Sequence, residues 1–451
     1  MLTRTGYLVK KTEAPADLKA ELTVRPIENA VGIRPPAFKV FRETDEYICM
    51  PRYFGLEKFG QPKKDTRPEP AVASISFIGQ LKNSTRQIEA FNEGTKALST
   101  IGGGVLSLAP GFGKTICALA IASHFKVRTM IVVHKEFLAE QWESRIRTFC
   151  PGATVGRVQQ DRCETDHDFV IALIQTMSLR EHTKSAFDSV GLLIVDEAHH
   201  IGSRAFSQSM FKVCPRYTLG LTATPDRKDG LTRLLYWFLG PNFLTVEREN
   251  QKNVTVMPLH FSSPEFKKAP PCNRMGSLSV VEIINILVDI PERNTLILQK
   301  IRDCISEGRK ILMLSDRRAH CFEMRDAIGE DKVGIYLGGM KQELLDLSAK
   351  KQVIIGTFAL AQEGLDIPEL DTIFLTTPHS DVKQAVGRIL RETKGKTNAP
   401  VIYDVVDHWS VLVNMFSKRC AMYREAGFIG VSAAPQKPAE KKCLFSFGTK
   451  V

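Results

Sequence analysis

Short runs of apolar residues alternate with longer amphipathic stretches along most of the chain, and this alternation occurs in two separate series. The first series, from residue 84 to about residue 245, contains VLSLA, TMIVV, FVIALI, GLLIVDEA and YTLGLTA. The second contains KILMLS, VGIYL, KQVIIGTF, TIFLTT and APVIYDVV. Such runs are typical of strands buried on both faces, and helical segments between them favour a parallel sheet with helices on both sides. The sequence therefore predicts an α/β fold with two tandem, doubly wound parallel-sheet domains, whose ligands bind beyond the carboxyl ends of the strands.

The regions outside these two series set the other expected domain limits. The first 78 residues are rich in proline and charge, with apolar runs at 37–41 and 47–50, which predicts a small, strand-rich N-terminal domain. A stretch carrying KKAPPCN lies between the two series and has too much proline and lysine for a packed element, which predicts a linker. The expected domains are 1–78, 79–248 and 277–431, with a linker at 249–276 and a flexible tail at 432–451.

Composition limits the class of protein. No apolar run among the 451 residues reaches the roughly 18 to 20 residues that a membrane span needs, and the N-terminus MLTRTGYLVKK lacks the apolar core of a signal peptide. The ten cysteines form no CxxC and no zinc-type grouping with histidine. We expect a soluble intracellular protein with reduced thiols and no membrane partner. Lys and Arg outnumber Asp and Glu by 61 to 50, and the net charge of +11 favours a polyanionic partner.

The run LAPGFGKT at residues 108–115 follows the apolar run VLSLA and opens a helical pattern, which is the context of a phosphate-binding loop. Glycines let backbone amides approach the phosphates, Lys114 would reach the β and γ phosphates of ATP, and the Thr115 hydroxyl would hold Mg²⁺. Leucine replaces the first glycine of the strict pattern, and a chance Gly-Lys-Thr in a loop is the alternative interpretation. The expected nucleotide contacts are Pro110, Gly111, Phe112, Gly113, Lys114 and Thr115.

Acidic residues end the apolar run GLLIV, where a buried carboxylate is costly unless a cation is bound nearby. We expect Asp196 to hold Mg²⁺ and Glu197 to be the base that orients the attacking water. His199, in the sequence Asp-Glu-Ala-His, would link the state of the nucleotide to the next strand end, at Thr222 and Thr224. The alternatives are a structural loop histidine and a threonine-rich strand end of the kind found in any fold.

Taken in this order, the motifs resemble those of superfamily 2 helicases of the DEAH-type, XPB-like branch. The segments GFGKT, GLDIP and QAVGRILRET are most similar to the transcript-release helicases of poxviruses and related large cytoplasmic DNA viruses. The resemblance extends over residues 80 to about 430. It implies two RecA-like lobes that share one ATP with Mg²⁺ and drive 3′ to 5′ movement along DNA or RNA. A duplex translocase or annealing helicase of repair or recombination, and a nucleotide-gated clamp with slow ATP hydrolysis, remain open alternatives.

The resemblance also assigns roles in the first lobe. Arg86 and Gln87 match an adenine-reading glutamine motif, although this chain has Ser-Thr-Arg-Gln where the family usually has Arg-Pro-Tyr-Gln. A glutamine on a helix surface is the alternative. The positions that match motifs gripping the sugar-phosphate backbone are His134, Lys135, Gln175 and Thr176. Residues 225–230, Pro-Asp-Arg-Lys-Asp-Gly, occupy the place of an Arg-Glu-Asp element of XPB-like proteins, with lysine in place of the acid.

The remaining implied residues lie in the second lobe. Ser315, Arg317 and Thr357 match positions that contact the nucleic acid, and Gly364 and Asp366 match positions near the ATP ribose. Gln384, Arg388 and Arg391 fit the pattern QxxGRxxR, and on a helix this spacing places all three on one face. Such a face can direct two guanidinium groups at a γ-phosphate, whereas a solvated basic helix face is the alternative.

The last residues contain two aromatic side chains in the polar segment KKCLFSF at 441–447, which predicts a docking peptide for a viral RNA polymerase or a sliding clamp. The family resemblance places the protein in viral transcription termination, and therefore in the host cytoplasm or the virion.

Overall fold

The computed structural model describes residues 1–27, 35–183, 185–223, 226–227, 229–247, 253–272, 278–363, 365, 367–390, 396 and 398–430. The chain divides into two compact units, Met1–Arg248 and Glu249–Val451. Within the described residues, no helix combines the length and the apolar character required to cross a bilayer. The segment expected as a flexible tail lies outside the described residues.

The described residues in the N-terminal part of the first unit form short strands and two helices. Its elements are β1 Leu2–Thr3, β2 Gly6–Lys10, α1 Leu18–Glu21, β3 Thr23–Val24, β4 Phe38–Lys39, β5 Arg42–Glu43, β6 Tyr47–Met50 and α2 Arg52–Phe59. Strands β1, β2, β6 and β5 form an antiparallel sheet in that order, and β3 pairs with β4. The strands expected near residues 37–41 and 47–50 are present.

An eight-stranded sheet follows in the same unit. Its helices are α3 Gln87–Thr100, α4 Lys114–Phe125, α5 Glu136–Phe149, α6 Ile174–Leu179, α7 Arg204–Ser209 and α8 Thr232–Leu239, with 3₁₀ helices at Ala198–Gly202 and Met210–Lys212. Its strands are β7 Gly103–Leu108, β8 Thr129–Val133, β9 Val155–Gln159, β10 Arg162–Cys163, β11 Phe169–Leu173, β12 Leu192–Val195, β13 Tyr217–Thr222 and β14 Asn242–Val246. The order is β10-β9-β11-β8-β12-β13-β7-β14, and every pair except β9 with β10 is parallel.

Alternate residues of the central strands enter two different cores, one on each face of this sheet. On one face, Ile131 and Val133 belong to a core that includes α4 and α5 residues. On the other, Met130 and Val132 belong to a core that also contains buried side chains of the N-terminal strands and helices. This alternation follows from the pleat of the strand, and it explains why the runs are apolar at every position.

The N-terminal part is fixed to the sheet by polar contacts as well. The Tyr53 hydroxyl lies 2.9 Å from the Thr218 hydroxyl on β13, and buried Arg52 donates to the Arg216 carbonyl at 2.9 Å. The Phe54 ring packs edge-on against Trp237 of α8, with 4.8 Å between ring centroids. The N-terminal residues therefore share a core with the first α/β lobe.

The second unit contains a six-stranded, fully parallel sheet in the order β15-β20-β19-β16-β18-β17. The strands are β15 Thr255–Phe261, β16 Ile311–Leu314, β17 Val333–Tyr336, β18 Val353–Gly356, β19 Thr372–Leu375 and β20 Val401–Asp407. The helices are α9 Val280–Val288, α10 Pro291–Ser306, α11 Arg318–Ile328, α12 Gln342–Ala349, α13 Phe358–Glu363, α14 Lys383–Val386 and α15 Ser410–Glu425, with a 3₁₀ helix at Pro264–Lys267. The prediction of two tandem RecA-like, doubly wound α/β lobes is confirmed.

The prediction that residues 249–276 form a linker is partly wrong, because this stretch contains β15. This seven-residue strand pairs in parallel with β20 along its whole length. Pro258 within it is tolerated because β15 is the last strand of the sheet, where a missing backbone N–H on the outer side interrupts no ladder. Sequence criteria that count proline against strands do not detect such an edge strand.

Candidate active site

The phosphate-loop candidate connects the end of fully buried β7 to the start of α4. Gly111 and Gly113 have φ values of 86° and 84°, in the left-handed region that side chains disfavour. A Cβ atom at Gly113 would also lie only 2.6 Å from Nε2 of Gln87. Lys114 and Thr115 open the twelve-residue helix α4, whose N-terminal amides favour an anion. The loop thus has the strand, turn and helix context that its sequence predicts.

The Gln87 side chain holds this loop through hydrogen bonds. Its Nε2 donates to the Phe112 carbonyl at 2.9 Å, and its Oε1 accepts from the Lys82 amide at 2.9 Å. The side chain is only 4% exposed, so the alternative of a glutamine on a helix surface is wrong. Adjacent Arg86 adopts a left-handed conformation and forms an ion pair with Glu89. Adenine recognition by Arg86 and Gln87 stays a prediction.

Asp196 and Glu197 follow β12, at the carboxyl edge of the sheet that also carries the phosphate loop. Oδ2 of Asp196 accepts from Nε1 of Trp142 at 2.8 Å, and Oδ1 accepts from the Glu197 amide at 2.9 Å. Nζ of Lys114 lies 3.5 Å from Oε1 of Glu197. The structure therefore brings together the lysine of the loop and the acid pair, and it adds Trp142, which no sequence motif identifies.

Burial and the neighbouring Glu197 carboxylate raise the pKa of Asp196 above its ordinary value. Two adjacent carboxylates repel each other, and a bound cation would relieve this repulsion. The Asp196 carboxylate and the Thr115 hydroxyl are hard oxygen donors of the kind that Mg²⁺ prefers, so these residues fit the expected ion.

His199 connects the acid pair to the end of β13. Its Nδ1 lies 3.4 Å from Oε2 of Glu197 and 3.2 Å from the hydroxyl of Thr222, which is fully buried. Burial lowers the pKa of His199, which favours the neutral ring. The contact between His199 and Thr222 is the one expected from the sequence, whereas Thr224 lies outside the described residues.

The positions expected to grip nucleic acid from the first lobe occupy two neighbouring strand ends. Nε2 of Gln175 donates to the His134 carbonyl at 2.6 Å, which joins the two motifs. The His134 ring is 7% exposed and packs 4.2 Å from that of His200, and Lys135 precedes α5. Thr176 is likewise 7% exposed, and its hydroxyl accepts from the Gln160 amide at 3.1 Å. The contacts of these four residues with nucleic acid stay predictions.

In the second lobe, Ser315 and Arg317 are engaged within the protein. Ser315 is fully buried, and its hydroxyl accepts from the Arg317 amide at 3.2 Å and lies 3.0 Å from Nδ1 of His320. The Arg317 guanidinium donates to Oδ1 of Asn285 at 2.6 Å and to the Val281 carbonyl at 2.8 Å. A buried hydroxyl cannot reach a polynucleotide, so we correct the role of Ser315 to one of shaping the turn that carries Arg317.

Gln384 lies on α14, but Arg388 does not. The helix ends at Val386, and the following amides of Arg388 and Ile389 bond to carbonyls three residues back. The expectation of one continuous helix face is therefore wrong for Arg388, because the backbone tightens into turns after Gly387. Arg391, Gly364 and Asp366 lie outside the described residues.

Arg388 instead joins two motifs of the second lobe. Its Nε donates to the Ala361 carbonyl at 2.7 Å, and its Nη1 donates to the Leu365 carbonyl at 2.9 Å. Thr357 precedes the helix α13 that contains Ala361, and its carbonyl accepts from the Ala361 amide at 3.0 Å. Arg388 thus holds the main chain of α13 and of Leu365, after Thr357.

Comparison with known proteins places this architecture in a family. A protein-family model described as "Type III restriction enzyme, res subunit" matches residues 80–227. A candidate ATP-dependent RNA helicase of Acanthamoeba polyphaga mimivirus, L396, is 33% identical over 90% of this chain and 81% of its own length. A candidate helicase of Invertebrate iridescent virus 6, 161L, is 29% identical over 80% and 84%, respectively. The candidate helicase D10 of Escherichia phage T5 is 27% identical over 74% of this chain and 75% of its own length. The chain therefore belongs to the superfamily 2 ATP-dependent helicases, which hydrolyse ATP and bind nucleic acid, and these relatives are viral.

Proposed function

We propose that the protein is a motor that moves 3′ to 5′ along a nucleic acid strand and releases transcripts during viral transcription termination. The observation that carries the ATP-driven part of the proposal is the continuous set of contacts from Lys114 through Glu197 and His199 to Thr222. The polarity and the role in termination rest on the family resemblance of the motifs. Such a set connects a phosphate-binding lysine, a carboxylate base and a strand end that can report the state of the nucleotide.

In this proposal the first lobe binds ATP and prepares the attacking water. The amides of the loop and Lys114 hold the phosphates, because both supply positive charge at the N-terminus of α4. Glu197 orients the water and accepts its proton, and its contact with Lys114 ends when that lysine turns to the phosphates. Mg²⁺, held by Asp196 and Thr115, would supply positive charge against the phosphate oxygens.

The second lobe supplies positive charge to the same reaction. Arg388 and Arg391 stabilise charge on the γ-phosphate, and Gln384 assists in placing it. The contacts of Arg388 with Ala361 and Leu365 support a further role for Arg388, because they join this charge to the segment after Thr357. Gly364 and Asp366 in that segment are proposed contacts of the ATP ribose region.

Nucleic acid is bound through its backbone, without recognition of sequence. His134, Lys135 and Gln175 in the first lobe and Arg317 and Thr357 in the second are the proposed contacts, and the net charge of +11 favours a polyanion. Either DNA or RNA satisfies this chemistry. The mimivirus relative is named as an RNA helicase, which supports RNA as the substrate.

The proposed setting is a transcription complex in the host cytoplasm or the virion. The aromatic segment at residues 441–447 would dock on the viral RNA polymerase or a clamp. Deletion of residues 436–451 is then expected to spare ATP hydrolysis and to weaken binding to the polymerase, and unchanged binding would remove the docking role.

The test combines strand displacement with transcript release. Duplexes with a 3′ or a 5′ single-stranded overhang are compared, and release is measured from an elongation complex stalled on immobilised template, with Glu197→Gln as the inactive control. We expect unwinding from the 3′ overhang and ATP-dependent release. Unwinding from the 5′ overhang would contradict the polarity. Duplex movement without release would favour a translocase of repair or recombination.

A further inference from the structure

Arg227, which lies after β13, contacts the 3₁₀ helix that carries His199. The Arg227 guanidinium donates through Nη1 to the His199 carbonyl, and its Nε donates to Oδ1 of Asp229 at 2.9 Å. Its remaining nitrogen forms an ion pair with Oδ2 of Asp229. The Arg227 side chain is only 18% exposed. All three guanidinium nitrogens therefore have partners within the protein, and one partner is the main chain of the DEAH segment, residues 196–199.

Gly202, at the end of the same 3₁₀ helix, lets the guanidinium approach this closely. A Cβ atom at Gly202 would lie 2.4 Å from Nε and 2.6 Å from Cζ of Arg227. Any side chain at residue 202 would displace the arginine. The glycine at residue 202 therefore leaves the space that the Arg227 guanidinium occupies beside the DEAH segment.

The other end of this contact is fixed as well. The Arg227 amide donates to the Thr232 hydroxyl at 2.8 Å, and Oδ1 of Asp229 accepts from the Leu231 amide at 3.1 Å. The Asp229 carbonyl accepts from the Ile27 amide at 2.9 Å. Arg227 is therefore held by the start of α8 and by the N-terminal part of the chain, and it can hold the DEAH segment in turn.

We infer that Arg227 is a positioning residue for ATP hydrolysis, which fixes the main chain at His199 and thereby keeps the imidazole between Glu197 and Thr222. The inference rests on the roles proposed above for Glu197 and His199. It assigns an internal task to an arginine whose place in the sequence matches the Arg-Glu-Asp element of XPB-like proteins. The chemistry supports this assignment, since a planar guanidinium can bond a carbonyl and a carboxylate at once.

The main test removes the Arg227 guanidinium and compares the change in ATP turnover with the change in binding of ATP and polynucleotide. In Arg227→Gln we expect kcat for ATP to fall about 10-fold or more, because small misplacements of catalytic groups are costly, with KM for ATP and affinity for polynucleotide unchanged within about threefold. Arg227→Lys keeps the charge but only one donor nitrogen, so its kcat should lie between those of Arg227→Gln and the unaltered protein. Arg233→Gln is the matched control, since Arg233 lies exposed on nearby α8 with its guanidinium over the Trp237 ring.

A second variant displaces Arg227 without altering it. Gly202→Ala should reproduce the loss of kcat, and its cost in stability should be small, because the flexible end of the arginine can move away. The double variant Gly202→Ala/Arg227→Gln should lose no more than the more impaired single variant, as expected when both changes break one contact. Thermal unfolding of each variant shows that the fold is retained, and Gly202→Ala carries the test if Arg227→Gln does not fold.

Two results would overturn the inference. One is unaltered kcat in both Gly202→Ala and Arg227→Gln. The other is a defect that saturating polynucleotide corrects, which would make Arg227 a nucleic-acid contact. Turnover is measured with and without polynucleotide, and the inference requires the loss in both conditions. The role of Arg227 is therefore tested even if polynucleotide does not stimulate the unaltered protein. Absence of stimulation would count against the proposed function and not against the role of Arg227.

Discussion

Trp142 is a residue whose importance is visible only in the folded protein. Its indole is buried, and Nε1 holds the Asp196 carboxylate, 54 positions away in sequence. Trp142→Phe keeps an aromatic ring in the core and removes the donor. We expect kcat to fall roughly 10-fold and the Mg²⁺ concentration for half-maximal activity to rise, as is usual when the partner of a metal ligand is lost. ATP hydrolysis titrated with Mg²⁺ measures both effects, and an unchanged Mg²⁺ dependence would contradict the role of Asp196.

The buried imidazole of His320 should make the stability of the fold depend on pH. Burial, together with the Arg293 charge, lowers the pKa of His320 to about 4, whereas an unfolded histidine titrates near 6.5. Between these pH values the unfolded chain binds one more proton than the native chain, so acidification destabilises the fold. We expect the free energy of unfolding to fall between pH 7 and pH 5 by about 2 kcal/mol more in the unaltered protein than in His320→Gln.

Urea titrations of the two proteins at both pH values measure this difference. Glutamine retains a donor and an acceptor near Ser315 and Asn294, so the comparison isolates the proton. Equal pH dependence in the two proteins would show that His320 is not held neutral in the fold.

At the scale of elements, Arg388 contacts the main chain of α13 at Ala361 and that of Leu365 beyond this helix, and these contacts can be tested by substitution. Arg388→Ala removes two hydrogen bonds to main-chain carbonyls and one charge. We expect ATP affinity to stay within several-fold, while turnover falls roughly 100-fold, since the charge acts mainly on the transition state. Lys383→Ala, on exposed surface of the preceding helix α14, removes the same charge as a control. Full turnover in Arg388→Ala would show that Arg388 has only a structural role.

Local patterns predict some of these elements well. The apolar run VLSLA at residues 105–109 and the glycine pair after it define β7, the loop and α4, because burial and backbone freedom are encoded by neighbouring residues. Local patterns do not reveal strand β15, because proline is acceptable within a strand only at a sheet edge, and the edges are set by the whole sheet. The helical spacing of QxxGRxxR predicts a face, but the helix ends before Arg388.

Side-chain partners across the fold are harder to predict. The hydrogen bond from Arg227 to His199 spans 28 positions, and that from Trp142 to Asp196 spans 54. Neither leaves a periodic signal, because each depends on how strands and helices are brought together. For the same reason the sequence could not show that the Ser315 hydroxyl is turned into the lobe.

At the scale of the whole molecule, the N-terminal part and the first lobe share one core. Buried residues of the two regions, among them Leu22 and Val132, belong to the same cluster. Removal of residues 1–78 would expose this apolar face, and exposed apolar surface causes aggregation. We expect residues 79–451 alone to give little soluble protein or to unfold at a clearly lower temperature. A soluble, monomeric fragment with unchanged unfolding temperature would show that the N-terminal part is an independent domain.

The central claim, that ATP hydrolysis drives movement on nucleic acid, is tested most directly by ATP turnover with and without polynucleotides of unrelated sequence, at low and high salt. We predict stimulation by every sequence and a steep decline with salt, because contacts to phosphates release counterions. Lys114→Ala should lose ATP binding and turnover together, whereas Glu197→Gln should bind ATP and turn it over slowly. Turnover of the unaltered protein that ignores polynucleotide at every salt concentration would contradict the account.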